Sequence, residues 1–119
     1  MLYSSAEDRL NPVAPADADE TTLGGYTAVH GRAAAFEGAD GQPYTAAVES
    51  EPTGDGEGWV AYLVFLRWAA SGGAVMGHLE TGDLVRSASE AEARAALQAL
   101  PLARVRALLD QLIATRNHD

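Results

Sequence analysis

Residues 58–70, GWVAYLVFLRWAA, form the most hydrophobic stretch of this chain. A strand of a small antiparallel sheet usually turns one face to the core and the other to water, so apolar and polar residues alternate along it. Here both alternating sets are apolar, and Arg67 is the one charged residue. The stretch is also shorter than the roughly 20 apolar residues that a membrane-spanning helix needs. It therefore predicts a strand with two apolar faces, and something must cover the second face.

Turn-forming sequences divide residues 26–81 into four predicted strands. The dividing sequences are GADGQP, EPTGDGEG and ASGG. Each contains a dipeptide that two-residue hairpins favour, because the central positions of such turns adopt positive φ: Asp40-Gly41, Asp55-Gly56 and Gly72-Gly73. Three successive hairpins predict an antiparallel meander.

The first two turns predict which residues share a face of the sheet. A turn at Asp40-Gly41 pairs Arg32 with Glu49 and His30 with Glu51, so opposite charges meet on one face. A turn at Asp55-Gly56 places Leu63 on the other face, with Val48. The remaining apolar set then lies on the face of Arg32 and Glu49: Val60, Tyr62, Val64, Leu66 and Trp68.

The third turn, at Gly72-Gly73, predicts Trp68 opposite Gly77 and Arg67 opposite His78. An aromatic ring at such a position covers the gap that a glycine leaves in the neighbouring strand. A hairpin loop one residue longer would exchange the two faces, but both would remain apolar around the third strand.

The pattern changes to helical after residue 86. Ser89 followed by Glu92 is a capping box, in which each side chain binds a backbone N–H of the first helical turn. Pro101 ends this helix and suits the first turn of a second one. The second helix carries one apolar stripe: Leu102, Val105, Leu108, Leu109, Leu112 and Ile113. The predicted fold is α+β, a four-stranded antiparallel meander followed by two C-terminal helices packed on one face.

Residues 1–22 and 23–119 differ in composition. The first segment holds Pro12, Pro15 and several acidic residues, which predicts a flexible acidic N-terminal tail. It lacks the basic and apolar regions of a signal peptide. Residues 23–119 are expected to form a single α+β domain.

Charge and cysteine content exclude several classes of function. The formal net charge is −9, which disfavours nucleic acids and anionic membranes as partners. The chain has no cysteine, so disulfides, thiolate nucleophiles and cysteine-ligated metals are excluded. All eight basic residues are Arg, which is typical of GC-rich bacterial genomes. A cytoplasmic protein without cofactor or metal is expected.

Three patterns resemble sites but favour simpler interpretations. TGDGEG lacks the Lys of a phosphate-binding loop and the ligand number of a calcium loop, so it predicts a hairpin turn. His30 and His78 lie two strands apart in the predicted meander, too far to share a zinc ion. Serines occur in turn and cap positions, and no G-x-S-x-G motif is present. No catalytic residues are predicted.

Arg67, His78 and Glu80 form the best candidate polar site. Arg67 lies in an otherwise apolar strand, and a buried charge without a partner is costly. In the predicted register its neighbours are His78 and, two residues further, Glu80. The alternative interpretation is that these residues form only a structural ion pair and not a binding site.

Two functional classes follow from these observations. The first is a non-catalytic interaction or assembly domain that uses the second apolar face, as a homodimer or with another protein. In that class the N-terminal segment competes as an intramolecular cover. The second is a small-molecule-binding domain or enzyme centred on Arg67, His78 and Glu80. The absence of a catalytic motif favours the first.

Overall fold

This computed structural model describes residues 19–117, which contain five strands and three helices. The strands form one antiparallel sheet in the order β1-β2-β3-β4, with β5 beside β3. The α+β meander followed by two C-terminal helices is confirmed. The elements are α1 (Leu23–His30), β1 (Ala35–Glu37), β2 (Pro43–Pro52), β3 (Trp59–Trp68), β4 (Val75–Glu80), β5 (Val85–Ser87), α2 (Glu90–Gln98) and α3 (Leu102–Asn117).

The predicted first strand was wrong over residues 26–33, most of which belong to α1. The Thr22 hydroxyl caps α1 by accepting the Gly25 N–H at 3.0 Å, and Gly31 ends it in the left-handed conformation with φ 67°. The predicted pairs of His30 and Arg32 with Glu51 and Glu49 therefore do not exist. Instead, the His30 imidazole lies 3.6 Å from Glu20, and Arg32 donates to the Tyr26 hydroxyl at 3.3 Å.

The register of the first hairpin differs by one residue from the one that a two-residue turn at Asp40-Gly41 requires. Glu37 pairs with Pro43, and Gly41 adopts a positive φ of 78° within the loop between them. The Asp40 carboxylate organises this loop, since it accepts the Gln42 N–H at 3.0 Å and the Tyr44 hydroxyl at 2.7 Å. The loop is thus longer than the predicted two-residue turn.

The predicted register of β2 and β3 is confirmed. Val48 lies opposite Leu63 and Glu49 lies opposite Tyr62, as a turn centred on Asp55-Gly56 requires. The last paired backbone groups are Thr53 N–H and Gly58 C=O, 2.9 Å apart, and Gly56 has the positive φ of 73°. This register fixes the two faces of β3.

The predicted register of β3 and β4 was wrong. Arg67 lies opposite Gly77, not His78, and Trp68 lies opposite Val75, not Gly77. The turn closes with the hydrogen bond from Ala69 N–H to Ala74 O. A β-bulge between Trp68 and Arg67 then shifts the pairing by one residue. This shift decides where the predicted polar site residues lie.

β5 was not predicted, because TGDLVRS reads as a connection between sheet and helix. It continues along the edge of β3 that β4 occupies. Thr81 N–H donates to Leu63 O and Leu84 N–H to Ala61 O, both at 2.9 Å, so the chain stays attached between the two strands. β4 and β5 together cover one whole edge of β3.

The core lies between the sheet and the C-terminal helices. Leu63 and Phe65 of β3 are fully buried against the apolar stripes of both helices, including Leu97, Val105 and Leu109. The Ser89 cap is confirmed, since its hydroxyl accepts the Glu92 N–H at 3.1 Å. The Glu92 carboxylate accepts from the Ser87 hydroxyl rather than from the cap residue. Helices and apolar core therefore occupy one face of the sheet.

Candidate interaction face

The face of β3 that points away from the helices carries the apolar row predicted from the sequence. Because Leu63 and Phe65 point into the core, the alternating residues point the other way. Val60 is only 9% exposed, and the others are half-buried. Among residues 19–117, all three helices lie on the other side. We call this row the outer face: Val60, Tyr62, Val64, Leu66 and Trp68.

Residues of the neighbouring strands extend the outer face sideways. On β2, Thr45 lies beside Leu66, while on β4, Glu80 lies beside Val64 and His78 beside Leu66. Directly paired residues of an antiparallel sheet point to the same side. The outer face is thus an apolar row with polar side chains along its flanks.

Trp68 is held in place at one end of the outer face. Its indole Nε1 donates to the Thr45 hydroxyl at 2.9 Å, which fixes the ring across β2. Val75 and Met76 beside it are 49% and 57% exposed, so this end is the more open one. The sequence did not reveal Met76 as part of this surface, because its position depends on the bulge in β4.

Carboxylates gather at the opposite end, around Tyr62. Desolvation and the surrounding negative charges raise the pKa of the Tyr62 hydroxyl above its usual range. A phenolate there would be repelled by its neighbours, which keeps the hydroxyl protonated. In order of effect, the carboxylates are Glu51, Glu80, Glu49 and Asp83.

The three residues of the predicted polar site do not come together. The Arg67 guanidinium lies on the core side of the sheet over Gly77, where its Nη2 donates to Met76 O at 3.1 Å. Its Nε is buried and has no hydrogen-bond partner among residues 19–117. His78 and Glu80 lie 3.6 Å apart on the outer face, and both are largely exposed.

The TGDGEG turn is held by a local network rather than built around a ligand. The Asp55 carboxylate accepts from the Thr53 hydroxyl and the Glu57 N–H, and Arg86 donates to it at 2.8 Å. These interactions, led by the Thr53 hydrogen bond, hold the pKa of Asp55 well below its usual range. A stable carboxylate on the turn therefore has a structural explanation.

A groove of about 870 Å³ lies between α1, α2 and β2. Small residues line most of it, and its cation is Arg94. Arg94 donates to Val48 O at 2.9 Å and to the Ser50 hydroxyl at 3.0 Å. Since β1 pairs only with the first residues of β2, Arg94 caps one backbone carbonyl, that of Val48, on the remaining edge of that strand. The Arg94 guanidinium in this groove is thus engaged in hydrogen bonds that stabilise the fold.

No protein family, curated protein or solved structure compared with this chain matches it. Among residues 19–117, no helix combines the length and apolar character required to cross a membrane. Within the same range, no three His, Asp or Glu side chains lie close enough to hold a metal ion.

Proposed function

We propose that this chain is a non-catalytic assembly domain that self-associates through the outer face. One observation carries the proposal: the apolar row of β3 lies on the side of the sheet away from every described helix. Contiguous apolar surfaces of this kind mark sites of protein contact. The prediction from residues 58–70 and the observed layering support the same conclusion.

The residue types of the outer face suit an interface. Tyr and Trp are enriched among residues that dominate binding energy, and the row holds Tyr62 and Trp68. Trp68 is already fixed by Thr45, so its ordering costs little conformational entropy on association. Full burial of an apolar side chain such as Leu66 contributes about 1.5–3 kcal/mol.

A second copy of the chain is the simplest occupant. In a two-fold dimer the same surface serves both partners, so one apolar face satisfies itself. The alternative class, a small-molecule site at Arg67, His78 and Glu80, gains no support from the fold. Arg67 lies on the core side of the sheet and the other two residues lie on the outer face.

Replacement of Leu66 by Asp tests the proposal. We expect the native chain to be a dimer and Leu66→Asp to be a folded monomer, because the new carboxylate would lose its water in the interface. Light scattering coupled to size exclusion gives the mass, and circular dichroism checks the fold. Val29→Asp is the matched control: Val29 is 40% exposed on α1, on the helical side, and its replacement should leave the dimer intact.

The proposal fails if the native chain is monomeric at high micromolar concentration. It also fails if Leu66→Asp retains the dimer with unchanged affinity. Loss of the dimer in both variants would indicate a general effect of added charge, and would likewise remove the support for this face.

A further inference from the structure

We infer that the two copies pack face to face with their β3 strands antiparallel, around a two-fold axis that crosses β3 at the level of Phe65. This inference rests on the proposed function and adds the arrangement of the second copy. The axis would lie between the two sheets, across the strands. Each strand of one copy would then lie over the same strand of the other.

The exposed members of the apolar row on β3 are centred on Phe65. Val60 is only 9% exposed, so it adds little apolar surface for a partner. The remaining members lie two on each side of Phe65 along the strand: Tyr62 and Val64 before it, and Leu66 and Trp68 after it. An axis at this level exchanges the two halves and places all four apolar side chains in the interface.

The distribution of charge selects the antiparallel arrangement. With the axis along β3 instead, residues of the same level would meet and β2 would lie over β4. Glu49 would then face the region of Asp83, which brings the carboxylates around Tyr62 against those of the second copy. In the antiparallel arrangement, β2 lies over β2 and Glu49 faces the uncharged Pro43.

His78 and Glu80 become a reciprocal pair across the same axis. His78 lies at the level of Leu66 and Glu80 at the level of Val64, one on each side of Phe65. The axis therefore places His78 of each copy over Glu80 of the other. Both side chains are exposed in the single chain, with 62% and 46% of their side-chain surface accessible. The candidate polar residues of β4 thus gain a role at the interface.

The aromatic residues meet in the same way. Tyr62 of one copy faces Trp68 of the second copy, so each aromatic ring finds another rather than a carboxylate. Aromatic pairs at interfaces contribute beyond their buried area. The Thr45 hydroxyl holds the Trp68 ring across β2, which prepares the surface that Tyr62 would contact.

Cysteine crosslinking between two variants tests the arrangement directly, since the chain holds no cysteine of its own. The full chain is prepared as His78→Cys, Glu80→Cys and Thr45→Cys. The variants are treated with a short bis-maleimide, alone and as equimolar pairs. Circular dichroism checks that each uncrosslinked variant folds, and light scattering measures how much of each is dimeric, so that crosslinked product is compared per dimer present.

We expect the mixture of His78→Cys and Glu80→Cys to give at least fivefold more crosslinked dimer than either variant alone. A stronger product from His78→Cys with Thr45→Cys would mean that the axis runs along β3. A stronger product from one variant alone would mean that the axis passes at the level of that residue instead of Phe65, or that the sheets cross. Either result overturns the arrangement and leaves the dimer standing, whereas a native chain that scatters as a monomer overturns the proposed function. A dimer that gives no crosslink in any mixture contradicts the inferred arrangement.

Discussion

Asp40 shows at the scale of one residue how a carboxylate organises a turn. Burial disfavours its charged form, but the hydrogen bonds from Tyr44 and from the Gln42 N–H, with the nearby Arg116, outweigh this cost. The pKa of Asp40 is therefore lowered from its usual 3.8. Arg116, 3.3 Å away on α3, ties the loop to the last turns of that helix.

Asp40→Asn should lower the free energy of unfolding at about pH 7 by about 1.5–3 kcal/mol, the contribution of hydrogen bonds to a charged group. Because the folded pKa lies below the unfolded one, this contribution is present above the unfolded value of 3.8. It is lost as the pH falls through the folded pKa. Urea unfolding at about pH 7 and about pH 2.5 should therefore show a difference between native and variant chains that shrinks in acid.

Glu57→Gln, at an exposed carboxylate of the second turn, is the control for a general effect of charge. It should leave the stability near that of the native chain at both pH values. A deficit in Asp40→Asn that is equal at both pH values would contradict the role assigned to the ionised carboxylate.

Some residue positions on the outer face and its flanks are predictable from the sequence, and others are not. The alternation of apolar residues along β3 is readable from the sequence, and so is the Val48–Leu63 pairing that fixes its faces. The face on which His78 lies is not, because it depends on the β-bulge that shifts β4 against β3. A shift of one residue moves a side chain to the other face of a sheet, so the predicted polar site fails on a small geometric difference.

Predictability differed between kinds of element for physical reasons. The cap at Ser89 and the break at Pro101 act within one or two turns, so the C-terminal helices are predictable locally. The first helix is short and contains two glycines, and its stability depends on distant contacts. Leu23 N–H donates to Leu100 O at 2.9 Å and Leu102 N–H to Thr21 O at 2.7 Å. Such contacts between segments that lie far apart in the sequence produce no pattern within the helix sequence itself.

The edge of β2 gives a prediction at the scale of the element. On the part of this edge that β1 leaves free, Arg94 caps the Val48 carbonyl and also donates to the Ser50 hydroxyl. Arg94→Met keeps much of the apolar stem but removes both bonds. We expect it to lower the free energy of unfolding by about 1.5–3 kcal/mol, the range for hydrogen bonds involving a charged group.

Urea denaturation followed by circular dichroism measures this change. Arg104→Met, at an exposed position of α3, removes the same charge without a bond to the sheet and should cost less than about 0.5 kcal/mol. Equal losses in the two variants would mean that Arg94 acts through net charge alone. An open strand edge also invites pairing with other chains, so aggregation of Arg94→Met should exceed that of the control.

At the scale of the whole molecule, the layering determines where association can occur. The helices cover one face of the sheet, and β4 with β5 covers one edge of β3. β1 pairs with the first part of the outward edge of β2, and Arg94 caps the Val48 carbonyl farther along it. The outer face is therefore an apolar part of the sheet that the described helices leave to a partner.

Residues 1–18 lie outside the described part of the chain and are the competing cover for the outer face. They carry three carboxylates and one arginine: Glu7, Asp8, Asp17 and Arg9. The outer face has its own carboxylates around Tyr62, so negative charge opposes the docking of this acidic segment there. The fold also begins before the predicted boundary at residue 22, because Asp19 O accepts the Thr22 N–H at 3.1 Å.

Removal of residues 1–18 should therefore leave the dimer in place, with a dissociation constant equal to or lower than that of the full chain. Asp19 is kept as the first residue of the shortened chain, because its carbonyl and carboxylate hold the turn before α1. Light scattering over a concentration series compares the two chains, and Leu66→Asp in the shortened chain should be a monomer. A monomeric full chain whose shortened form associates would instead show that the segment covers the outer face. In that case the partner must displace it, and the free energy of that displacement would set the affinity of assembly.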